Sequence, residues 1–235
     1  MVKCLWVYTL NRGPEFLDYF DHLGVVVDDD NMTKPYWRKE EFPDYKENRK
    51  PKPEVINTLA SIGLQYANSI KSHVHYVSHP GLEADDIAGA LVSIKRLMDK
   101  LNPEFERDIY LYTVDSDWLQ LVGDGVYWCN TGPWEPRLRS VDEAIEWTKR
   151  RLKVEISSPR EIVQVKSQQG DKSDNLPPGS DEDLIDLLNP RLKTYHIPEL
   201  WKLLKYIYQD VYQTPNLDHL HRSKSYIQKK GFNLS

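Results

Sequence analysis

The stretch Asp108-Ile109-Tyr110-Leu111-Tyr112-Thr113-Val114-Asp115-Ser116-Asp117-Trp118-Leu119-Gln120-Leu121 is an apolar, β-branched and aromatic run that ends on two carboxylates one residue apart. Such residues suit a pleated, buried surface, so Ile109 to Val114 reads as a strand emptying into an acidic loop. Open α/β folds build their sites at the carboxyl ends of parallel strands. Asp115 and Asp117 can face one hydrated hard cation, and the same pair also serves as a turn or a helix cap. The presence of acids at other strand ends separates the two readings.

Upstream, Gly24 releases Val25-Val26-Val27, a β-branched strand ending on Asp28-Asp29-Asp30-Asn31. Further on, Gly81-Leu82-Glu83-Ala84-Asp85-Asp86 precedes an apolar helix that runs from Ile87 to Leu97 and Met98. A helix start needs one capping acid and gains from another through its dipole. Three crowded acids exceed that need, and their repulsion calls for a cation. Downstream, Gln168-Gln169-Gly170-Asp171-Lys172-Ser173-Asp174-Asn175-Leu176-Pro177-Pro178-Gly179 carries two acids three residues apart. A helical turn would set Asp171 and Asp174 on one side, with a Gly/Asp/Asn/Pro turn as the alternative.

Strand and helix patterns alternate from Val25 to Val126, which predicts a mostly parallel twisted sheet with helices on both faces. Val2 to Tyr8 is a short first strand, and Glu15 to Leu23 a short helix. Val55, Leu59, Ile62 and Tyr66 are spaced for a helix over 54–72, and His73 to Ser78 is a strand. Val126 to Cys129 reads as an outer strand. Val141 to Leu152, Pro159 to Val165, Asp181 to Leu188 and Pro198 to Tyr212 read as helices, followed by a basic tail from His219. A catalytic domain over 1–178 and a helical region with that tail over 179–235 are expected.

The chain has 235 residues, 29% charged and 40% hydrophobic, the composition of an ordinary globular protein. No apolar run approaches the twenty or so residues that cross a bilayer, so no membrane partner and a cytoplasmic location are expected. Cys4 and Cys129 are far apart and in no metal spacing, which excludes a disulfide framework or a zinc site as the organising feature. A net charge of −5 gives no general attraction to nucleic acid. That attraction must be local, and residues 34–52 provide a candidate. Lys34, Arg38, Lys39, Lys46, Arg49, Lys50 and Lys52 interleave there with Tyr36, Trp37, Phe42 and Tyr45. Cations among aromatics suit a surface that tracks a backbone and stacks bases, although Glu40, Glu41, Asp44 and Glu47 also allow a solvated helix face.

Taken together, these segments resemble the 5′-nuclease family: flap endonucleases, the 5′-3′ exonuclease domains of bacterial DNA polymerases and, nearest, the bacteriophage 5′ nucleases. The resemblance rests on Val25-Val26-Val27-Asp28, Trp37-Arg38, Tyr45 through Pro51, Glu83-Ala84-Asp85-Asp86, Val114 through Asp117 with Leu119-Gln120-Leu121, and Gly170 through Asn175, in the family's order. It implies a PIN-like α/β fold and a two-metal phosphodiester hydrolase acting on 5′ ends or flaps of DNA or RNA. Two divalent ions about 3.5–4 Å apart would activate the water and stabilise the leaving oxygen. Mg2+ is the implied cofactor, with Mn2+ able to substitute. By resemblance, Asp28, Glu83, Asp85, Asp86, Asp115, Asp117, Asp171 and Asp174 surround the ions, and Asp29 or Asp30 is an alternative to Asp28. Lys46 steadies the scissile phosphate, Tyr45 stacks near the terminal base, and Arg38 and Arg49 hold flanking phosphates; Lys46 and Arg38 are thereby the catalytic cations, and Lys50 joins Tyr45 and Arg49 in binding substrate. A replication polymerase is an implied partner, and a phage-encoded protein would work in the host cytoplasm.

Two departures from the family pattern stand out. Where relatives carry a glycine-rich hairpin that grips duplex, Pro178-Gly179-Ser180-Asp181-Glu182-Asp183 is acidic. Relatives also begin with a strand ending in a metal-binding aspartate, whereas Val2 to Thr9 has no acid after it until Glu15. The expectation is that either the strand is retained without its ligand, or the true amino-terminal portion is missing from this chain and a separate polypeptide would supply the strand. Two other functions compete: a catalytically silent nucleic-acid-binding relative, and a metal-dependent phosphatase of small molecules. The basic-aromatic segment opposes the phosphatase.

Overall fold

The computed structural model describes residues 2–7, 22–27, 37–50, 53–55, 58, 74–77, 79–101, 108–113, 115–131, 136–180 and 182–188. Its centre is a six-stranded sheet formed by β1 (Val2–Val7), β2 (His22–Val27), β3 (Val74–Val77), β4 (Ile109–Tyr112), β5 (Val126–Thr131) and β6 (Pro136–Arg139). The order across the sheet is β3-β2-β1-β4-β5-β6. β2 pairs parallel with β3, and β4 parallel with β5. β1 lies between these pairs, antiparallel to both β2 and β4. It follows that β2, β3, β4 and β5 run one way and end on one edge, as the α/β pattern predicts, while β1 and β6 run against them.

The direction of β1 bears on the missing first acid. Val7 pairs with His22 and Ile109, so the carboxyl end of β1 lies at the edge where its neighbours begin. A strand in this direction leaves the sheet away from the acidic edge, whatever residue follows it. β2 also starts earlier than the sequence pattern indicates, taking in His22 and Leu23 at the expense of the expected helix. β5 is not the outer strand, because the short, proline-led and basic β6 pairs antiparallel along it. Proline is at home on such an edge, and Arg139 is buried there with its guanidinium over the Trp128 ring. Most of the expected helix over 54–72, and all that follows Leu188, lie outside the described residues.

The core is built on α1 (Trp37–Glu41), α2 (Ala84–Leu101), α3 (Val141–Leu152), α4 (Ile162–Gln169), α5 (Glu182–Ile185) and the sheet. Ile87, Leu91 and Ile94 recur at helical spacing on α2 and are buried with Leu111, Trp118 and Trp128. Tyr110 and Tyr127, opposite each other on β4 and β5, stack with ring centroids 5.0 Å apart. Ser140 and Glu143 close a reciprocal capping box at the start of α3. Gly89 lets the backbone after α5 approach α2: a Cβ there would lie 3.2 Å from the Leu187 carbonyl carbon. That approach brings α5 alongside the acidic start of α2.

Candidate functional site

The acids of α2 serve two purposes. Glu83 precedes the helix, and its N–H donates to Asp86 Oδ2 at 3.1 Å, so Asp86 caps the start of α2. The same Oδ2 accepts from Arg38 Nη1 at 2.8 Å, while Asp86 Oδ1 is buried without a hydrogen-bond partner. Burial pushes the Asp86 carboxyl above its usual range, although Arg38 opposes the shift. Arg38 is itself buried. Its Nε donates to Leu184 O at 3.1 Å and its Nη2 to Asp186 O at 2.8 Å, tying α1 to the end of α5. Burial works against its charge, and Asp86 and Glu83 more than restore it, so its pKa is raised.

The turn after α1 docks on the 170–176 loop. Lys46 N–H donates to Asp174 O at 2.8 Å, and Asn175 Nδ2 donates to Asp44 O at 2.8 Å. Lys46 adopts a left-handed backbone, φ 58°, a strained choice for a lysine, and its Nζ lies 2.6 Å from Glu83 Oε1. The Tyr45 hydroxyl is 3.1 Å from both Glu83 Oε2 and Asp174 Oδ2. Burial and then the charge of Glu83 hold its pKa well above the usual phenol value. Arg49 pairs with Asp174 through Nη2 and donates from Nε to Ser173 O at 3.2 Å.

Beyond β4, the chain passes Asp115 into a 3-10 turn, Ser116–Leu121. Asp115 Oδ1 accepts from Asp117 N–H at 3.1 Å, which is the capping role its position allows. Asp85 Oδ1 accepts from the buried Trp118 indole at 2.7 Å, joining the start of α2 to this turn. Asp117 pairs with Lys166 Nζ, which also donates to Asp171 Oδ2 at 2.8 Å. Burial raises the Asp117 pKa even with that ammonium beside it. Asp171 differs: burial pushes it up, but hydrogen bonds from Lys166 and Ser173 outweigh this and hold it at about 2.

Glu83, Asp85, Asp86, Asp115, Asp117, Asp171 and Asp174 come from three separate stretches of sequence and are tied together through intervening groups: Tyr45 joins Glu83 to Asp174, Lys166 joins Asp117 to Asp171, and the Trp118 indole ties Asp85 to the turn that carries Asp115 and Asp117. Asp28 lies outside the described residues, and Lys50 is exposed at the end of the docked turn. Asp171 and Asp174 do not share a helical turn. A loop closed by the Asp171–Leu176 bridge aims one at Lys166 and the other at Tyr45 and Arg49. Gly170 makes that loop possible: its φ is 73°, and a Cβ would lie 2.6 Å from Leu176 O. Arg38 and Tyr45 are 2% and 3% exposed, whereas holding a phosphate or stacking a base requires an open face. Lys166 had no place in the sequence-based set, although it is the lone charge on α4 and lies five residues before Asp171.

An all-carboxylate donor set suits a hard divalent cation, and the partnerless Asp86 Oδ1 is an acceptor of the right kind. In the arrangement seen here, cationic side chains already meet Glu83, Asp86, Asp117, Asp171 and Asp174. Among the described residues, no three side chains are gathered around a single ion position.

Residues 15–153 match the family model of the 5'-3' exonuclease N-terminal, resolvase-like domain. The chain is 40% identical over 73 residues to the flap endonuclease Xni of Shewanella pealeana, a match covering 31% of this chain and 26% of that protein. It is 29% identical over 157 residues to DNA polymerase I of Mycobacterium bovis, covering 66% of this chain and 15% of that one. This chain thus matches about a quarter or less of the length of these curated relatives. A solved structure of the T5 5'-exonuclease with zinc bound aligns over 83% of this chain and 80% of its own, at 18% identity and a TM-score of 0.44.

Proposed function

We propose that this chain, which belongs to the family of 5'-3' exonuclease N-terminal, resolvase-like domains, is a divalent-metal-dependent 5′ nuclease. It would hydrolyse phosphodiester bonds at the 5′ ends or flaps of nucleic acid, DNA first. One observation carries the reading: acids of the expected set from three separate stretches of sequence are linked through Tyr45, Trp118 and Lys166 beside a basic turn. Carboxylates at such density are costly to hold together, and a structural role accounts for only some of them, chiefly Asp85, Asp86 and Asp115.

Glu83, Asp85, Asp117, Asp171 and Asp174 are the residues that would hold the ions, with Asp86, Asp115 and Asp28 around them. Bound there, divalent ions, Mg2+ or Mn2+, would supply an activated water and stabilise the departing oxygen. The protein's own residues do the positioning. Arg49, whose side chain is half exposed, is free enough to take a flanking phosphate, and exposed Lys50 extends the same track. Lys46 sits between Glu83 and that track, where an ammonium can turn from carboxylate to phosphate when substrate arrives. Arg38 and Tyr45 act from behind, fixing Asp86, Glu83 and Asp174 so that their oxygens stay in register. Such contacts position a strand without reading its bases, so selectivity is for structure.

The test is incubation of the chain with 5′-labelled flap, duplex and single-stranded DNA in Mg2+, in Mn2+ and in chelator. Cleavage from the 5′ side that chelator abolishes is the expected outcome. Tight binding to the same substrates with no turnover in either metal would instead make the chain a silent nucleic-acid-binding relative.

A further inference from the structure

Lys166 is the one charged side chain on α4, a helix otherwise built of Ile162, Val163, Gln164, Val165, Ser167, Gln168 and Gln169. Its side chain is 13% exposed, and its ammonium contacts Asp117 Oδ1 and lies 2.8 Å from Asp171 Oδ2. These carboxylates come from different elements, the turn after β4 and the loop after α4, and Lys166 is the direct link between them. The remaining oxygen of Asp171 is taken by Ser173, through its N–H at 2.8 Å and its hydroxyl at 2.6 Å. The ammonium therefore sits where a small cation shared by Asp117 and Asp171 would sit.

We infer that the Lys166 ammonium is a tethered stand-in for a divalent ion between Asp117 and Asp171, and that an incoming ion must displace it to use both carboxylates. The inference rests on the metal-dependent reading above. Two cations cannot share that space: an ammonium and a divalent ion a few ångströms apart, only partly screened by water, repel strongly. Without an ion, Lys166 keeps the two acids from repelling each other, and the 170–176 loop stays closed on α4. With an ion, the lysine's flexible four-carbon stem allows its head to swing towards solvent or a phosphate. Lys166 thus sets the ion concentration at which this half of the site fills.

Two measurements on the full chain test this. In the wild type, the Lys166 ammonium should give a protected side-chain signal in 15N NMR, assigned by its loss in Lys166→Arg. Mg2+ should erase that signal over the concentration range in which calorimetry shows binding. In the second measurement, Lys166→Met should bind Mn2+, followed by electron paramagnetic resonance, on the order of 10–100-fold more tightly than wild type, the scale on which outer groups tune metal affinity. Lys166→Arg should stay close to wild type. Should Lys166→Met fail to fold, the wild-type NMR titration decides alone. Calorimetric binding of Mg2+ with an undisturbed Lys166 signal, or unchanged or weaker Mn2+ affinity in Lys166→Met, would overturn the inference and leave the metal-dependent reading standing. Absence of binding by wild type and variants alike would overturn that reading, and this one with it.

Discussion

The two halves of the acidic network are neutralised in opposite ways. At the start of α2, Arg38 and Asp86 have side chains 3% and 0% exposed, and every donor edge of the guanidinium is engaged by the protein. At the other end, Asp117 and Asp171 are each 16% exposed and share one flexible ammonium. The first half is a scaffold, since a rigid, planar, multiply bonded arginine has no alternative position. The second can exchange its cation. The difference shows that counting charges near a site does not reveal which of them are available to a ligand; burial and the number of bonds on each cation do.

The comparison is broken most strongly by removing the scaffold cation. Arg38→Met should destabilise the protein by about 3–5 kcal/mol, because Asp86 is left charged, buried and unpaired. Lys166→Met should cost clearly less, since water can reach its two partners. Urea unfolding of both variants measures the difference, and equal losses would erase the distinction between the halves.

Gly170→Ala should cost about 2–3 kcal/mol through its positive φ and the collision with Leu176 O. Its damage should be confined to the exchangeable half. Hydrogen exchange should quicken at Asp171 and Leu176, whose N–H groups bond across the loop, and stay slow at Asp86 and Ile87, which bond to Glu83 O. Equal loosening of both sets would mean that the halves are one unit.

The smallest effect sharpens the comparison by pH. Asp171 is held at about 2 in the folded chain, below the ordinary 3.8. Between those values the unfolded chain binds more protons, so the stabilisation is complete above about pH 4 and is lost as pH falls through 2. Wild type should exceed Asp171→Asn by about 1–2 kcal/mol at pH 6, and the gap should close towards pH 2 in guanidine titrations. A gap that does not change with pH would show that Asp171 contributes shape and not charge.

Much of this was legible in the chain. Ile109 to Tyr112, Val74 to Val77 and α2 carry their own periodicity, and Asp115 and Asp117 after the first and Glu83, Asp85 and Asp86 at the start of α2 are placed by their position along the chain. The short β6 was not legible, because Pro136-Arg137-Leu138-Arg139 is only four residues long, opens on a proline and carries no β-branched or aromatic residue, so it becomes a strand only by pairing with β5. The burial of Tyr45 was hidden for a similar reason. In sequence it belongs to a run of cations and aromatics, and it is the docking of Lys46 and Arg49 on residues more than a hundred positions away that turns it inward.

By itself the sequence determined the α/β class, the direction of β2 to β5 and the inventory of acids at one edge, because hydrophobic period, turn residues and strand ends are local properties. Only the tertiary structure decided which cation meets which acid, that β1 runs backwards through the middle of the sheet, and that Arg38 serves Asp86, Leu184 and Asp186 and faces no solvent. The physical reason is range. A charged side chain takes its partner from whatever packing brings within about 3 Å, and these partners lie as far apart in sequence as Arg38 and Asp186, where no pattern along the chain records the contact.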